Sequence, residues 1–361
     1  MDHSGRLRRL QAALEENKLD WLLVTHLPNI RYLCGFTGSA GALLIGERGV
    51  KFFTDGRYLT QARDEVRGAN TIIVRKAPAL AAADFLAASR GRTGSRIGIE
   101  PHAVTVAQRE QLNAILKRKW KLVAAPPWIE QARMVKDEEE TRRIREAVEV
   151  GAGLFRVARQ KIRPGVKEVE VAAAMEYEAR RAGAEGMSFS TIIASGKRSA
   201  VVHGRASEAR IPRRGFVVCD FGVILAGYCS DRTRTVHVGR PSRAARRMYE
   251  AVLEAQQAAI AAVRPGVSAA AVDQAARKVL RKHHLARYFT HSTGHGLGLE
   301  IHEAPRLAKG QAQVLEPGMV ITIEPGAYIP RKQGVRIEDV VVVTTAGCEV
   351  LTPTNKELIV V

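Results

Sequence analysis

The sequence predicts a two-domain α/β protein, with a small α/β domain over residues 1–130 and a larger α+β domain of pseudo-two-fold design over residues 131–361. Three observations predict it. Helical and strand-like patterns alternate as far as about Ala125. Pro126-Pro127 then breaks the pattern, and Arg163-Pro164-Gly165-Val166 recurs as Arg264-Pro265-Gly266-Val267 further on.

In the first domain, Arg6-Leu7-Arg8-Arg9-Leu10 followed by Leu14 has the spacing of an amphipathic helix, expected over Leu7 to Asn17. Trp21-Leu22-Leu23-Val24 predicts a strand. Ala42 to Ile45 and Val50 to Phe53 predict two more, joined as a hairpin through Gly46-Glu47-Arg48-Gly49. Thr71 to Val74 and Ile97 to Ile99 read as further strands, and Tyr58 to Arg67 and Thr105 to Leu116 as helices.

A long charged helix is expected from about Glu138 to Ile162, because Asp137 and Glu138 to Glu140 suit a helix N-terminus. Each Arg-Pro-Gly-Val run closes one helix and opens another, Glu168 to Ala182 in the first copy and Ala269 to His283 in the second. Each opened helix leads to a strand pair that carries acids. The first pair holds Asp220 and Asp231 around Gly227, and the second holds Glu324 and Glu338 around Gly334. Two copies face to face would bring four carboxylates to one point.

The formal net charge of +19 is dispersed, with +8 up to Glu130 and +11 beyond it. The only notable cluster is a short one at Lys117-Arg118-Lys119. A dispersed, Arg-rich excess argues against a nucleic-acid groove. No uncharged apolar run reaches the length of a membrane span, since the longest apolar stretch, Phe216 to Cys229, contains Asp220. Cys34, Cys219, Cys229 and Cys348 form no CxxC pair, and no secretory signal opens the chain; together these point to reduced thiols in the cytoplasm.

Asp220, in Val217-Val218-Cys219-Asp220-Phe221-Gly222, is costly to bury unless it is paired or bound to a cation. A buried ion pair of Asp220 or Asp231 with Arg232 or Arg234 would explain those two acids as well as a metal would. His291, His295 and His302 fall within twelve residues, and the glycines flanking His295 let the backbone approach a site closely. The run Gly294-His295-Gly296-Leu297-Gly298 is not a dinucleotide fingerprint, and His302-Glu303-Ala304-Pro305 is not a zincin helix. The apolar flanks of Glu324 argue against a solvated hairpin acid. Asp220, Asp231, His295, Glu324 and Glu338 together form a hard, oxygen-rich donor set. Four carboxylates balance two divalent cations, and the set suits Mn²⁺ or Co²⁺ and tolerates Zn²⁺. On this reading the chain is a metallohydrolase.

The pattern resembles the pita-bread metallopeptidases, which include Xaa-Pro aminopeptidases, prolidases and methionine aminopeptidases. Asn29-Ile30-Arg31-Tyr32-Leu33, Gly35-Phe36-Thr37-Gly38-Ser39 and Phe53-Thr54-Asp55-Gly56-Arg57-Tyr58 resemble the N-terminal domain of the proline-specific branch, a domain that methionine aminopeptidases lack. The resemblance implies that Asp231 and Glu338 bridge two metals, Mn²⁺ foremost, that Asp220 holds one, and that His295 and Glu324 complete the other. It implies that Glu324 is the general base, that His302 contacts the scissile peptide and that His203 touches the substrate backbone. His291 would line the proline pocket, Arg306 would meet a substrate carboxylate, and Arg336 and Tyr328 would steer substrate and protons. One departure is visible, Val202 where relatives often have proline before this histidine. The implied activity is release of the N-terminal residue from peptides with proline in second position, with the dipeptide-restricted prolidase as alternative. A non-catalytic peptide-binding homologue, or a metal-free hydrolase resembling creatinase, would not need all five ligands. A homodimer is implied, with Arg57 or Tyr58 reaching a neighbour's cleft.

Overall fold

A computed structural model describes residues 1–47, 49–89, 94–352 and 355–361, with the side chain of Arg118 outside that description. The hairpin residue Arg48 lies outside it too. The architecture is mixed α/β, and its contacts divide the chain into two units, Met1–Arg133 and Met134–Val361.

The first unit is built on a six-stranded sheet in the order Asn70–Val74, Gly49–Asp55, Ala42–Gly46, Trp21–Val24, Ser95–Ile99, Trp120–Ala124. The expected hairpin forms, with Ala42 opposite Phe53 and Ile45 opposite Val50. The N-terminal helix, His3–Glu16, begins where Asp2 accepts a hydrogen bond from the Gly5 N–H at 2.8 Å, and it buries Leu7, Leu10 and Leu14. Val106–Leu116 opens on a reciprocal Thr105–Gln108 cap. The sequence reading did not place the helices Leu27–Cys34 and Pro78–Ala88 or the strand Trp120–Ala124. Pro78–Ala88 is apolar almost all round and buries Ala81, Ala82, Ala83 and Leu86, so it carries no polar stripe to announce it.

The second unit carries the repeat. Helix Glu138–Lys161 starts in a capping box between Asp137 and Glu140 and is followed by Glu168–Arg181; Arg243–Ala262 is likewise followed by Ala269–Lys282. The two Arg-Pro-Gly-Val turns are superimposable in their bonding. Gly165 (φ 86°) donates to Ile211 O at 2.8 Å, and the Ile211 N–H returns to Val166 O at 2.8 Å. Gly266 (φ 84°) donates to Leu315 O at 2.9 Å, and the Leu315 N–H returns to Val267 O at 2.8 Å. Both positions need the left-handed backbone that glycine adopts without strain.

Two sheets carry the acids. One is ordered Ile359–Val360, Arg232–Val238, Gly215–Phe221, Ile192–Ser195; the other Glu303–Leu307, Gly294–Gly296, Val320–Ile323, Asp339–Val343, Cys348–Val350. Gly326–Ile329 and Gln333–Arg336 form a separate hairpin. The helices Arg243–Ala262 and Ala269–Lys282 pack over one core with Met319, Ile321, Ile323 and Val341; Glu138–Lys161 and Glu168–Arg181 pack over another with Ile193, Val217, Cys219 and Val236. Among the described residues no helix is long and apolar enough to cross a membrane.

Candidate active site

Strand alternation sets the first half of the site. Asp220 lies on Gly215–Phe221 opposite Thr233 of Arg232–Val238, and Asp231 immediately precedes the latter strand. Successive side chains point to opposite faces, so Asp231 and Thr233 share one side while Arg232 and Arg234 take the other. The Thr233 hydroxyl donates to Glu338 Oε2 at 2.8 Å and accepts from Arg336 Nε at 3.1 Å. Arg234 pairs instead with Asp339 at 2.7 Å. The arginine that meets Asp220 is Arg336, neither of the two strand neighbours considered from the sequence.

The second half comes from the other sheet. His295 is the middle residue of Gly294–Gly296, Glu324 follows Val320–Ile323, and Glu338 joins Gln333–Arg336 to Asp339–Val343. The flanking glycines are required by close approach. A Cβ on Gly294 would lie 1.8 Å from Thr322 O, and one on Gly296 would lie 2.1 Å from Ala304 O. His295 Nδ1 lies 3.0 Å from Gly296 O, so Nδ1 carries the proton. Its Nε2 lone pair then faces Asp231 Oδ2 at 3.6 Å and Glu324 Oε1 at 3.5 Å. Oxygens of Asp220, Asp231 and Glu338 lie within 4.8 Å of one another. Asp231 therefore belongs to both groups.

Of the four buried or nearly buried carboxylates, Asp220 alone pairs directly with a guanidinium, that of Arg336, among the described residues. Burial, and then the neighbouring carboxylates, push Asp231 and Glu338 far above the usual acid range. Burial lifts Glu324 to about 8. Glu338 Oε1 is buried with no hydrogen-bond partner among the described residues. This is a deficit of positive charge. The oxygen-rich set, the neutral His295 lone pair and the orphaned oxygen fit divalent cations.

Behind this cluster runs a directed hydrogen-bond chain. His291 is half-buried and held neutral, its pKa lowered to about 3 by desolvation and then by Arg336. Its Nδ1–H donates to Ser292 O at 2.8 Å, which leaves Nε2 to accept from the Tyr328 hydroxyl at 3.0 Å. Tyr328 Oη accepts from Arg336 at 2.6 Å, and Arg336 also donates to Val202 O at 3.1 Å and to Asp220. Burial works against the Arg336 charge, but Tyr328, Asp220 and Glu324 outweigh it and keep the guanidinium protonated. Val202 is thus anchored through its carbonyl.

A cavity of about 590 Å³ is lined by Asp220, Asp231, His295, Glu324, Glu338, His203, His291, His302, Arg306 and Arg336. Tyr328 stands behind the lining through its bonds to His291 and Arg336. The His302 ring packs edge-on at 4.5 Å from that of His295, and burial lowers its pKa. The next residue, Glu303, is held by buried Lys136 at 3.0 Å. Sequence reasoning missed Phe189, Ser190 and Arg205 on the lining, and Thr233 behind it. Thr233 was within reach, lying two residues past Asp231 on the same strand face. Arg205 forms an isolated antiparallel bridge with Ile192, outside any strand that a pattern could mark.

The family model "Metallopeptidase family M24" matches residues 142–345, and "Creatinase/Prolidase N-terminal domain" matches residues 6–135. The chain is similar to an Xaa-Pro dipeptidase of Pyrococcus horikoshii, 38% identical over 98% of both chains. Among solved structures it is similar to an Xaa-Pro dipeptidase from Bacillus anthracis, with TM-score 0.93 and 37% identity, covering 99% of this chain and 100% of that one. It is also similar to an X-Pro aminopeptidase from Thermotoga maritima, with TM-score 0.90 and 34% identity over 99% and 100%. With matches that span both units and a site rich in cation ligands, the chain belongs to metallopeptidase family M24, in its pita-bread form with a creatinase/prolidase-type N-terminal domain, and is a metallo-exopeptidase.

Proposed function

We propose that the enzyme is a prolidase, hydrolysing Xaa-Pro dipeptides, rather than the oligopeptide-directed Xaa-Pro aminopeptidase that the sequence reading put first. The observation that carries this choice is the near full-length likeness to Xaa-Pro dipeptidases of two organisms. The cavity supports it chemically. Arg205 and Arg306 line the same 590 Å³ space as the four carboxylates, so one pocket offers partners for both the amine and the carboxylate of a dipeptide. The aminopeptidase reading is the second candidate, favoured by the likeness to the Thermotoga maritima enzyme.

Asp220, Asp231, His295, Glu324 and Glu338 would hold the two ions. Mn²⁺ suits this donor set best, with Co²⁺ or Zn²⁺ also accommodated. When bound, such a pair supplies Lewis acidity at the scissile carbonyl and a nucleophile at neutral pH. The Xaa-Pro bond is a tertiary amide without an N–H, so recognition must fall on its carbonyl and on the two chain ends. Glu324 takes the proton of the attacking water at its carboxylate and returns it to the proline nitrogen as the C–N bond breaks. His302 donates a hydrogen bond to the carbonyl oxygen as negative charge develops there. His203 holds the substrate backbone, His291 borders the proline ring, and Arg306 meets the terminal carboxylate. Arg336, oriented by Tyr328, fixes Asp220.

The four free cysteines support a reducing, cytoplasmic setting, and we carry forward a homodimer, which a monomer mass in gel filtration would reject. The decisive assay loads metal-free enzyme with each cation and offers Ala-Pro and Ala-Pro-Ala. Cleavage of the dipeptide alone is expected; equal cleavage of the tripeptide replaces the prolidase reading with the aminopeptidase one.

A further inference from the structure

The N-terminal unit holds a second group of metal-competent side chains, unrelated to the peptidase chemistry. His26, Glu100, His102 and Glu130 each offer one ligand atom, and these atoms lie within 4.8 Å of one another. They come from separate stretches of chain. His26 follows the strand Trp21–Val24 and precedes the helix Leu27–Cys34; Glu100 and His102 follow Ser95–Ile99; Glu130 sits in the helix Trp128–Met134.

The surrounding bonds hold the donors in place. Glu100 is 4% exposed and its Oε2 accepts from the backbone N–H groups of Thr25 at 2.7 Å and His26 at 2.9 Å. The buried amide of Asn29 donates at 2.6 Å to Glu100 Oε1 and at 2.6 Å to Glu130 Oε1, so one neutral group draws two carboxylates together. Arg133, the buried cation beside them, donates to Asn29 Oδ1 at 2.7 Å. The His26 and His102 rings meet edge-on at 5.3 Å. A cavity of about 180 Å³ borders the group and is lined by Glu100, His102 and Glu130.

A plain ion pair between His102 Nε2 and Glu130 Oε1, at 3.2 Å, accounts for two of the four side chains. That pair engages neither His26 nor Glu100, yet each of these offers a donor atom to the same group. We propose that His26, Glu100, His102 and Glu130 form a separate binding site for a single transition-metal dication of the Zn²⁺ class. Two imidazoles with carboxylates suit such an ion, and tetrahedral donors lie roughly 3.3 Å apart, so the side chains would draw in on the ion from the 4.8 Å within which their donor atoms now lie. Ligands drawn from three parts of the chain would tie the ends of two interior strands, Trp21–Val24 and Ser95–Ile99, to the helix Trp128–Met134, so the ion would act on stability rather than on turnover.

The test is equilibrium dialysis of the full-length enzyme against Zn²⁺ followed by elemental analysis. Three proteins are compared: the wild type, His26→Ala/His102→Ala, and Asp231→Ala/Glu338→Ala. The histidine variant is expected to hold one Zn²⁺ fewer than the wild type, and the carboxylate variant to keep one ion that raises its melting temperature. His102→Ala alone, at a half-exposed position that folding tolerates, should weaken that ion by at least about tenfold. Equal zinc content in the wild type and the histidine variant, or no zinc in the carboxylate variant, overturns the site.

Discussion

Glu338 and Asp339 are neighbours in sequence and both fully buried, yet their surroundings are opposite. Asp339 accepts from Arg234 at 2.7 Å, Gln256 at 2.9 Å, Thr352 at 2.6 Å and Lys356 at 2.7 Å. Burial alone would raise its pKa, but Arg234 and Lys356 outweigh burial and hold it below the usual carboxylate range. Glu338, on the other side of the strand, has Thr233 on one oxygen, no partner on the other among the described residues, and Asp220, Asp231 and Glu324 around it. The protein satisfies one acid from its own side chains and leaves the next with an excess of negative charge around it. Asp339 fits a stabilising role, and Glu338 the cation-binding role proposed for it.

Four measurements break or sharpen this contrast. Asp231→Ala/Glu338→Ala should lower kcat/KM by on the order of 10³-fold or more, since two proposed ligands go; near-normal turnover would end the metal reading. Asp339→Ala should lose about 3–5 kcal/mol of folding stability in urea titration, because Arg234 and Lys356 are left uncompensated in the interior. A loss below about 1 kcal/mol would show that Asp339 is not the self-satisfied partner of the pair.

Arg336→Lys keeps the charge but cannot serve Asp220, Tyr328, Thr233 and Val202 together, so metal affinity or activity should fall by roughly 10–100-fold. The smallest effect concerns acidity. Asp231, Glu324 and Glu338 have folded pKa values raised by burial, with Glu324 at about 8, whereas burial depresses those of His291, His295 and His302, so just below pH 8 the carboxylates of the folded metal-free state bind protons that the unfolded chain does not. Stability of metal-free protein should therefore rise as pH falls from 8 towards about 7, by at most about 1.4 kcal/mol per pH unit for each proton taken up, before the histidines of the unfolded chain begin to take up protons and oppose it. Metal-loaded protein should lack that slope. Identical pH profiles with and without metal would place the charge deficit elsewhere.

The residues proposed as ligands could be picked out from the chain because they sit in distinctive surroundings. Asp220 interrupts an apolar strand, His295 lies between glycines that close strand packing demands, and the Arg-Pro-Gly-Val turns mark the two copies. Helices with a polar stripe or a cap were equally legible, as at Asp137 and Thr105. Pro78–Ala88 was not, because a helix buried nearly all round shows no period. The choice among Arg232, Arg234 and Arg336 as partner of Asp220 was also hidden, since local spacing favours the strand neighbours while the pleat turns them away. Asp339 passed unnoticed for the same reason. Its partners come from positions 234, 256, 352 and 356, none of them adjacent in sequence.

The amino-acid order alone determined which side chains are capable of the chemistry, where each copy of the repeat turns, and that a buried set of acids would need cations. These are consequences of local pattern and of the cost of burying charge. Only the tertiary structure decided which acid each arginine neutralises, that His295 offers Nε2 and not Nδ1, and that Arg205 and Arg306 share the cavity of the carboxylates. Those outcomes depend on strand register and on contacts between residues as far apart as Asp220 and Arg336, which no local signal encodes.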